Sequence, residues 1–437
     1  MIGRPFRRPE GRNHFSLCMM GLWLMLGWGV SPRSPAAEGA TTTHVFTLAV
    51  APFEGERPLT GAIQALIAQD LEGSGRFHLI PELQQPERLA AGQPPDFARW
   101  GGLGEAYLLT GAIQTAPRTQ DLHLHLALYA LSKSQPLLDT VVPFGEGDAR
   151  HAAHAAADHI YRTLTGSQGG FNSRLAWVLK EQAAGQNRYR LIVSDRDGED
   201  ARVIVSSKEP LLSPAWSPDG HRMAYVSFEE GNSAIFIQDL VTGARRRLAA
   251  FAGINSAPAW SPDGTEIAMS LSKEGTPDLY LMDVGSGTLH RVTRDEAVET
   301  EPSWSPDGKR LLFTSDRGGT PQIYEISAQG GDAERLTFEG AYNASAVFAP
   351  DGVHIVMVHR GDCGDCIALL YAPSRKIKLI SEGPQDSSPS FSPNGREVLM
   401  VEQTERGAGL VRLSIDGQPP VNIPSPGGDV RAAAWSP

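Results

Sequence analysis

Residues 195–200, which read Asp-Arg-Asp-Gly-Glu-Asp, have the opening spacing of a calcium-binding loop. Alternating carboxylates around a glycine turn are the ligands that such loops place around Ca²⁺. The glutamate expected six positions after Gly198 is missing, because position 204 is isoleucine. The same residue types are favoured in hairpin turns, and we predict a turn here and no metal site.

Two of the three cysteines, Cys363 and Cys366, are separated only by Gly-Asp. In an oxidising compartment this spacing predicts a local disulfide. Free thiols and a metal or redox site are the alternatives, and a zinc site would need ligands beyond the two sulfurs. The nearby candidates for such ligands are His359, Asp362 and Asp365.

Two groups of side chains could be imagined around a metal ion. His123 and His125 share one face of a predicted strand, and His154 and Asp158 share one face of a predicted helix. Nothing in the sequence brings the two groups together. We therefore expect surface or partly buried histidines.

A repeat of 43 or 44 residues organises the second half of the chain. An aromatic residue followed by Ser-Pro-Asp-Gly or a close variant marks each copy. The six aromatic residues are Trp216, Trp260, Trp304, Phe348, Phe391 and Trp435. Units of this length built from short strands are typical of propeller blades, so six copies predict a six-bladed β-propeller. We expect the aromatic residues to pack between blades and Ser217–Gly220 to form a hairpin turn.

The order of the predicted strands indicates how the ring closes. The segments 175–180, 189–194 and 202–205 are predicted as the second, third and outer strands of a blade that lacks an inner strand. Trp435 ends an inner strand without the other three. We expect these two parts to pair, which closes the ring and removes an exposed sheet edge.

Residues 1–37 have the features of a secretory signal, with an arginine-rich start, an apolar segment at 15–30 and small residues at 34–37. The apolar segment is short for a membrane span, although an uncleaved anchor is the alternative. Removing these residues changes the formal net charge from −11 to −15, because they hold five Arg and one Glu. Such a charge disfavours nucleic acid and anionic membranes as partners. After cleavage we expect no membrane span.

Residues 38–165 are predicted to form a small α/β domain, and residues 166–437 the propeller. The predicted elements are a strand at 45–53, a helix capped by Thr60 and ended at 73–75, strands at 107–113, 122–131 and 137–142, and a helix at 148–164.

A propeller-type periplasmic hydrolase or polysaccharide lyase is the enzymatic alternative. A propeller-bearing serine peptidase needs a Gly-x-Ser-x-Gly elbow, which the sequence does not contain. A channel lyase would need His and Arg clustered at equivalent blade positions, and no such cluster is found. We predict no catalytic residue, no metal and no cofactor.

The sequence resembles the TolB family, the periplasmic component of the Tol–Pal envelope system. The resemblance is densest at 164–176, at 211–225 (LLSPAWSPDGHRMAY) and at 301–340, which begins EPSWSPDGKRLLFTSDRGG. It implies a non-enzymatic adaptor in the periplasm of a Gram-negative bacterium, monomeric within a multiprotein envelope complex. It further implies that the propeller binds the peptidoglycan-associated lipoprotein Pal and the N-terminal region binds TolA. The implied roles are outer-membrane integrity and outer-membrane invagination during cell division.

The resemblance also implies which residues contact the partners. Pal would meet the loops that lead into the inner strands, at Asn255, Ala257, Glu299, Thr300, Glu301, Asn343, Asp386 and Asp429. Ile254 departs from the family's pattern, where a histidine is often found. TolA would meet the mature N-terminus, at Glu38, Thr41, Thr42 and Thr43. This segment is shorter and less apolar than in the family.

Overall fold

The computed structural model describes residues 44–437, except positions 88, 90–92, 94, 104–105, 117–120, 134, 146, 184 and 406. The predicted signal at 1–37 and the TolA candidates Glu38, Thr41, Thr42 and Thr43 lie outside the described residues. No helix in the described part is long and apolar enough to cross a membrane. Residues 45–437 form one unit, in which a small α/β part precedes a six-bladed β-propeller. The predicted fold class is therefore confirmed.

The α/β part contains a five-stranded sheet. Its strands are β1 (Phe46–Val50), β2 (Phe77–Leu79), β3 (Ala106–Thr115), β4 (Leu122–Ala130) and β5 (Pro136–Phe144). Their order is β2-β1-β3-β4-β5, with β1 parallel to both neighbours and the remaining pairs antiparallel. Strand β1, which lies between β2 and β3, is largely buried because side chains of helices or loops cover both faces of the sheet.

The helices are α1 (Arg57–Gly73), α2 (Phe97–Trp100) and α3 (Ala149–Thr165), and two short 3₁₀ turns lie at Glu82–Gln84 and Gly101–Leu103. Helices α1 and α3 pack on one face of the sheet, where the small alanines of α3 allow close approach to α1. Trp100 of α2 is buried against the other face. The prediction that Thr60 caps α1 is wrong, because the helix already begins at Arg57 and Pro58 is favoured in its first turn. Thr60 lies inside the helix and donates to the carbonyl of Glu56.

Each propeller blade is a four-stranded antiparallel sheet. Blade 1 contains β6 (Arg174–Ala183), β7 (Gln186–Asp195) and β8 (Arg202–Ser207), and its inner strand is β29 (Asp429–Trp435). Blade 2 contains β9 (Leu211–Trp216), β10 (Arg222–Ser227), β11 (Ala234–Asp239) and β12 (Arg245–Ala249). Blade 3 contains β13 (Asn255–Trp260), β14 (Glu266–Leu271), β15 (Asp278–Asp283) and β16 (Leu289–Arg291).

The remaining blades follow the same order from the inner to the outer strand. Blade 4 contains β17 (Glu299–Trp304), β18 (Arg310–Ser315), β19 (Gln322–Ser327) and β20 (Glu334–Arg335). Blade 5 contains β21 (Tyr342–Phe348), β22 (His354–Gly361), β23 (Gly364–Tyr371) and β24 (Lys376–Leu379). Blade 6 contains β25 (Ser387–Phe391), β26 (Glu397–Thr404), β27 (Gly407–Ser414) and β28 (Val421–Ile423).

The ring closes as predicted, through antiparallel pairing of β29 with β6. Trp435 pairs with Leu175 in this ladder, and its indole N–H donates to Ser173 Oγ at 2.7 Å. The backbone N–H of Ser436 donates to the carbonyl of Arg174 at 2.8 Å. Both ends of the propeller sequence are therefore held in one blade.

The six repeat aromatics fill the spaces between neighbouring blades, as the spacing predicts. Each is buried in a cluster that combines side chains of two adjacent sheets. Three indole N–H groups also donate to the inner strand of the preceding blade: Trp216 to Ala434, Trp260 to Ala215 and Trp304 to Ala259, at 3.1–3.3 Å. The same residue type thus supplies both packing and a hydrogen bond at successive interfaces.

Candidate functional site

The mouth of the propeller is the end at which all six inner strands begin. Since each blade starts its inner strand there, the loops leading into these strands form one surface. Ile254 and Val298, at equivalent positions of blades 3 and 4, are 48% and 41% exposed, and Leu212 of blade 2 is 39% exposed. Thr300 is half-buried beside Val298. These side chains give the mouth an apolar sector.

Four of the eight residues implied as Pal contacts are buried. Asn255, Glu299, Asn343 and Asp386 stand at equivalent positions of four successive blades, and each is at most 1% exposed. Their side chains cannot form the outer surface of the mouth. They are instead bonded to the loops around them.

Asn255 connects the loop of blade 3 to itself and to the neighbouring hairpin. Its Nδ2 donates to the carbonyls of Phe251 at 2.8 Å and Ser233 at 3.0 Å. Its Oδ1 accepts from the backbone N–H of Phe251 at 2.9 Å. These bonds fix the backbone that carries Ile254.

Asn343 is the centre of a similar buried network in blade 5. Its Nδ2 donates to Gln322 Oε1 and to the carbonyl of Glu339, both at 2.8 Å. Its Oδ1 lies 2.8 Å from Nδ1 of His359, whose pKa is lowered by burial. A neutral His359 can donate to this oxygen through Nδ1 without placing a charge in the network.

Glu299 and Asp386 bring carboxylates to the same position in the other two blades. Glu299 pairs with Arg317, whose guanidinium also stacks on Phe313 and Tyr324. Asp386 accepts from the hydroxyl of Ser381, and burial raises the pKa of Asp386.

Asp429 holds the entry to blade 1 and is partly exposed. Its Oδ1 accepts from the backbone N–H of Ala408 at 3.1 Å, and its other oxygen pairs with Arg431. Of the implied contacts, Ala257, Thr300, Glu301 and Asp429 are therefore the ones with accessible surface.

A bulge shapes five of the inner strands where they line the central channel. Ser213, Ala257, Glu301, Ser345 and Ser388 have φ between 49° and 55°, and each lies at a register shift against the second strand. The channel they line has a volume of about 410 Å³. Its described lining contains one charged side chain, Glu301, which accepts from the hydroxyls of Thr314 and Ser345 at 2.8 Å.

A charged cluster joins the α/β part to blade 1. His154 of α3 is 1% exposed, and its Nδ1 lies 2.7 Å from Asp70 Oδ2 of α1. Its Nε2 lies 3.7 Å from Asp195 Oδ2 at the end of β7. Burial alone would lower the pKa of His154, but the two carboxylates outweigh it and raise the pKa to about 9. The imidazolium therefore bridges the two parts of the chain at neutral pH.

The sequence segment that resembles a calcium loop contributes to this cluster. It forms the predicted turn, in which the N–H of Gly198 donates to the carbonyl of Asp195 at 3.0 Å. Asp195, Asp197 and His154 offer ligand atoms within 4.8 Å of one another. Arg150, however, donates to Asp195 at 3.0 Å and to Asp197 at 2.6 Å, and so already occupies one oxygen of each carboxylate. This arrangement fits domain docking better than metal binding.

The other sequence candidates are dispersed. Asp158 does not join His154 in a site; it accepts from the backbone N–H groups of Phe171 and Asn172 and so anchors the connection to the propeller. The rings of His123 and His125 lie side by side on β4, with centroids 6.3 Å apart. Cys363 and Cys366 form a disulfide at the tip of the β22–β23 hairpin.

Two family models match the chain. The model of the TolB amino-terminal domain matches residues 39–137, and that of the TolB beta propeller domain matches residues 161–437. The crystal structure of TolB from Acinetobacter baumannii is similar with a TM-score of 0.79 and 37% sequence identity, over 90% of this chain and 97% of that chain.

Curated relatives give the same result over a shorter range. The Tol-Pal system protein TolB of Methylococcus capsulatus is 42% identical over 224 residues, which is 51% of each chain. The protein of the same name from Thioalkalivibrio sulfidiphilus is 42% identical over 214 residues, or 48% of each chain. The chain thus spans about half the length of the curated relatives it matches.

Proposed function

Because this chain belongs to the TolB family, we propose that it is a non-enzymatic periplasmic adaptor of the Tol–Pal system. Residues 1–37 would direct its export. The mature protein would bind Pal at the propeller mouth and TolA through its N-terminal segment. In this way it would support outer-membrane integrity and the invagination of the outer membrane during cell division.

The observation that carries the Pal proposal is the construction of the mouth. Exposed apolar side chains, such as Ile254 and Val298, stand on loops that are fixed from below by buried polar residues. A surface whose backbone is already ordered loses less conformational entropy when a partner binds. The mouth is therefore suited to recognise a folded protein domain.

The channel supports binding in preference to catalysis. General acid–base or nucleophilic catalysis needs a nucleophile or base held beside a second polar group in an open site. Glu301, the single charged side chain in the described channel lining, instead already accepts hydrogen bonds from Ser345 and Thr314. The adaptor proposal consequently needs no catalytic residue, metal or cofactor.

Thr300→Arg is expected to weaken the binding of a soluble Pal domain roughly 30-fold or more, because a central interface position contributes about 2 kcal/mol or more. The long cation would occupy the half-buried position beside Val298. Isothermal titration calorimetry measures the dissociation constant, and thermal melting verifies that the variant is folded.

Thr288→Arg is the matched control for this substitution. Thr288 is exposed in the turn between β15 and β16, at the end of the propeller opposite the mouth. The control should bind Pal like the original protein. An unchanged affinity in folded Thr300→Arg would remove the mouth from the proposal.

Deleting residues 38–43 is expected to abolish binding to the C-terminal domain of TolA, if this segment adds a strand to its partner. A second variant replaces the six residues with Gly and Ser, which keeps the length but removes the side chains. Strand addition through the backbone predicts partial retention in this variant and complete loss in the deletion. Equal TolA affinity in all three proteins would exclude the segment as the contact.

A further inference from the structure

A cavity of about 280 Å³ lies between the end of α1 and blade 6, away from both the mouth and the channel. Its walls include Ser74 and Phe171 from the α/β side of the molecule and Arg196, Glu397 and Arg412 from the propeller. The cavity is thus lined by both structural parts. Two of its lining residues are buried guanidinium groups, which are costly to leave without acceptors.

Arg412 places a hydrogen-bond donor without a partner in the wall of this cavity. Its side chain is 13% exposed, and its Nε lies 3.0 Å from Glu397 Oε1 without the alignment of a hydrogen bond. Within the described part of the chain, the buried Nε–H of Arg412 has no hydrogen-bond partner. Burial and the nearby Arg196 both lower the pKa of Arg412.

Arg196 increases the positive charge at the same place. Its side chain is 6% exposed, its Nη2 donates to Glu397 Oε2 at 2.6 Å, and its Nε has no hydrogen-bond partner among the residues that the structure describes. Asp70 is 3.9 Å from Arg196 but is already bonded to His154. Both guanidinium groups therefore share the carboxylate of Glu397, and Asp70 is a more distant partner that Arg196 shares with His154.

The other charged lining residues supply no acceptor to Arg196 or Arg412. Arg396 donates to Asp416 at 2.6 Å, so these two side chains neutralise each other. Glu72 is exposed at the end of α1 and has no ion pair with Arg196 or Arg412. Among the described lining residues, Glu397 is therefore the one carboxylate within 4 Å of Arg412, and part of the hydrogen-bonding capacity of the two guanidinium groups remains unused.

We propose that this cavity binds a small oxyanion of the phosphate or carboxylate class through Arg412 and Arg196. The planar fork of a guanidinium group matches two oxygens of such an anion, and charge-assisted bonds of this kind are among the strongest in proteins. The volume accommodates a phosphate ion or a small carboxylic acid. Since both structural parts line the cavity, a bound anion would also strengthen their docking. This proposal is independent of Pal and TolA binding.

The test titrates the full mature chain with inorganic phosphate and, separately, with acetate, while chloride holds the ionic strength constant. Calorimetry gives the affinity, and thermal melting gives a second readout. At a concentration 100 times the dissociation constant, the better anion is expected to raise Tm by about 3 °C. Stronger binding of either anion identifies the preferred oxyanion.

Arg412→Gln is expected to weaken anion binding at least tenfold. Arg247→Gln is the control, because Arg247 forms an exposed ion pair with Glu230 on blade 2 and should not affect the titration. If Arg412→Gln does not fold, Arg412→Lys keeps the charge but loses the fork, and it should bind with intermediate affinity. Neither anion binding to the original chain, or equal binding after substitution of Arg412, would overturn the proposal.

Discussion

Replacing His154 with leucine is expected to destabilise the folded protein by about 3 to 5 kcal/mol, the usual cost of breaking a buried ion pair by removing one partner. The imidazolium is the link between Asp70 of the α/β part and Asp195 of blade 1. Leucine would leave Asp70 buried without its hydrogen-bond donor. Urea denaturation measures the change in the free energy of unfolding.

The pH dependence of stability distinguishes this link from simple packing. The pKa of His154 is raised from 6.5 to about 9 in the folded state, so the folded state binds the proton more tightly than the unfolded state. The resulting stabilisation is fully present below pH 6.5 and is lost as the pH rises through 9. It amounts to about 3 kcal/mol. The difference in stability between the original protein and His154→Leu should therefore shrink as the pH rises.

Other charged groups surround His154 but remain in both proteins. Asp70 faces it from α1, Asp195 and Arg196 from the end of β7, and Arg150 and His151 from its own helix. Their titrations largely cancel when the free energy of unfolding of His154→Leu is subtracted from that of the original protein at each pH. A difference that stays constant between pH 6 and 10 would contradict a role for the imidazolium charge.

His151→Leu is the control on the same helix. His151 Nδ1 lies 4.0 Å from Asp195 Oδ1, but its side chain is 39% exposed. Surface substitutions usually change stability by about 0.5 kcal/mol or less. A loss as large as that of His154→Leu would show that helix packing, and not the bridge, determines the effect.

Deleting residues 429–437 is expected to prevent the propeller from folding cooperatively. The deletion removes the ladder between β29 and β6, together with the buried side chains of Val430 and Trp435. Loss of a buried tryptophan alone costs about 3 to 5 kcal/mol. The truncated ring would also expose the edge of β6, which favours aggregation. Circular dichroism melting and size-exclusion chromatography measure both consequences.

Trp435→Phe is a milder variant that the sequence itself suggests. Phe348 and Phe391 occupy the equivalent position in two other blades, so the fold accepts phenylalanine there. The variant keeps the ring in the interface but loses the indole bond to Ser173, and we expect a loss of about 1 kcal/mol. For the deletion of residues 429–437, a truncated protein that still melts like the original would disprove the need for strand closure.

The propeller could be predicted from the sequence because its blades follow from local patterns that repeat along the chain. The spacing of Trp216 and its five counterparts indicates the length and number of the blades, because each repeat forms the same hairpins and the same interface. The predicted start of α1 is too late because threonine and proline are both typical of helix beginnings, and only the backbone shows that the helix already begins at Arg57, before Pro58 and Thr60.

The site was predicted less well, for physical reasons that differ between its parts. The family resemblance implied Asn255 and Asn343 as residues of the mouth, but the inward direction of their side chains depends on the loop that each one bonds. The docking cluster could not be found from spacing, because His154 is 84 positions from Asp70 and the two meet only through helix packing. The sequence likewise predicted the turn at Asp195 but not its contact with His154 of α3.

The bond between Arg174 and Ser436 joins residues 262 positions apart, and this separation affects the timing of folding. A chain that is synthesised from its N-terminus presents β6, β7 and β8 long before β29 emerges. The edge of β6 stays unpaired during that interval, while blades 2 to 6 can form in order along the chain. We therefore expect the first blade to be completed last, and a chain interrupted before β29 to keep an unpaired strand edge that favours aggregation.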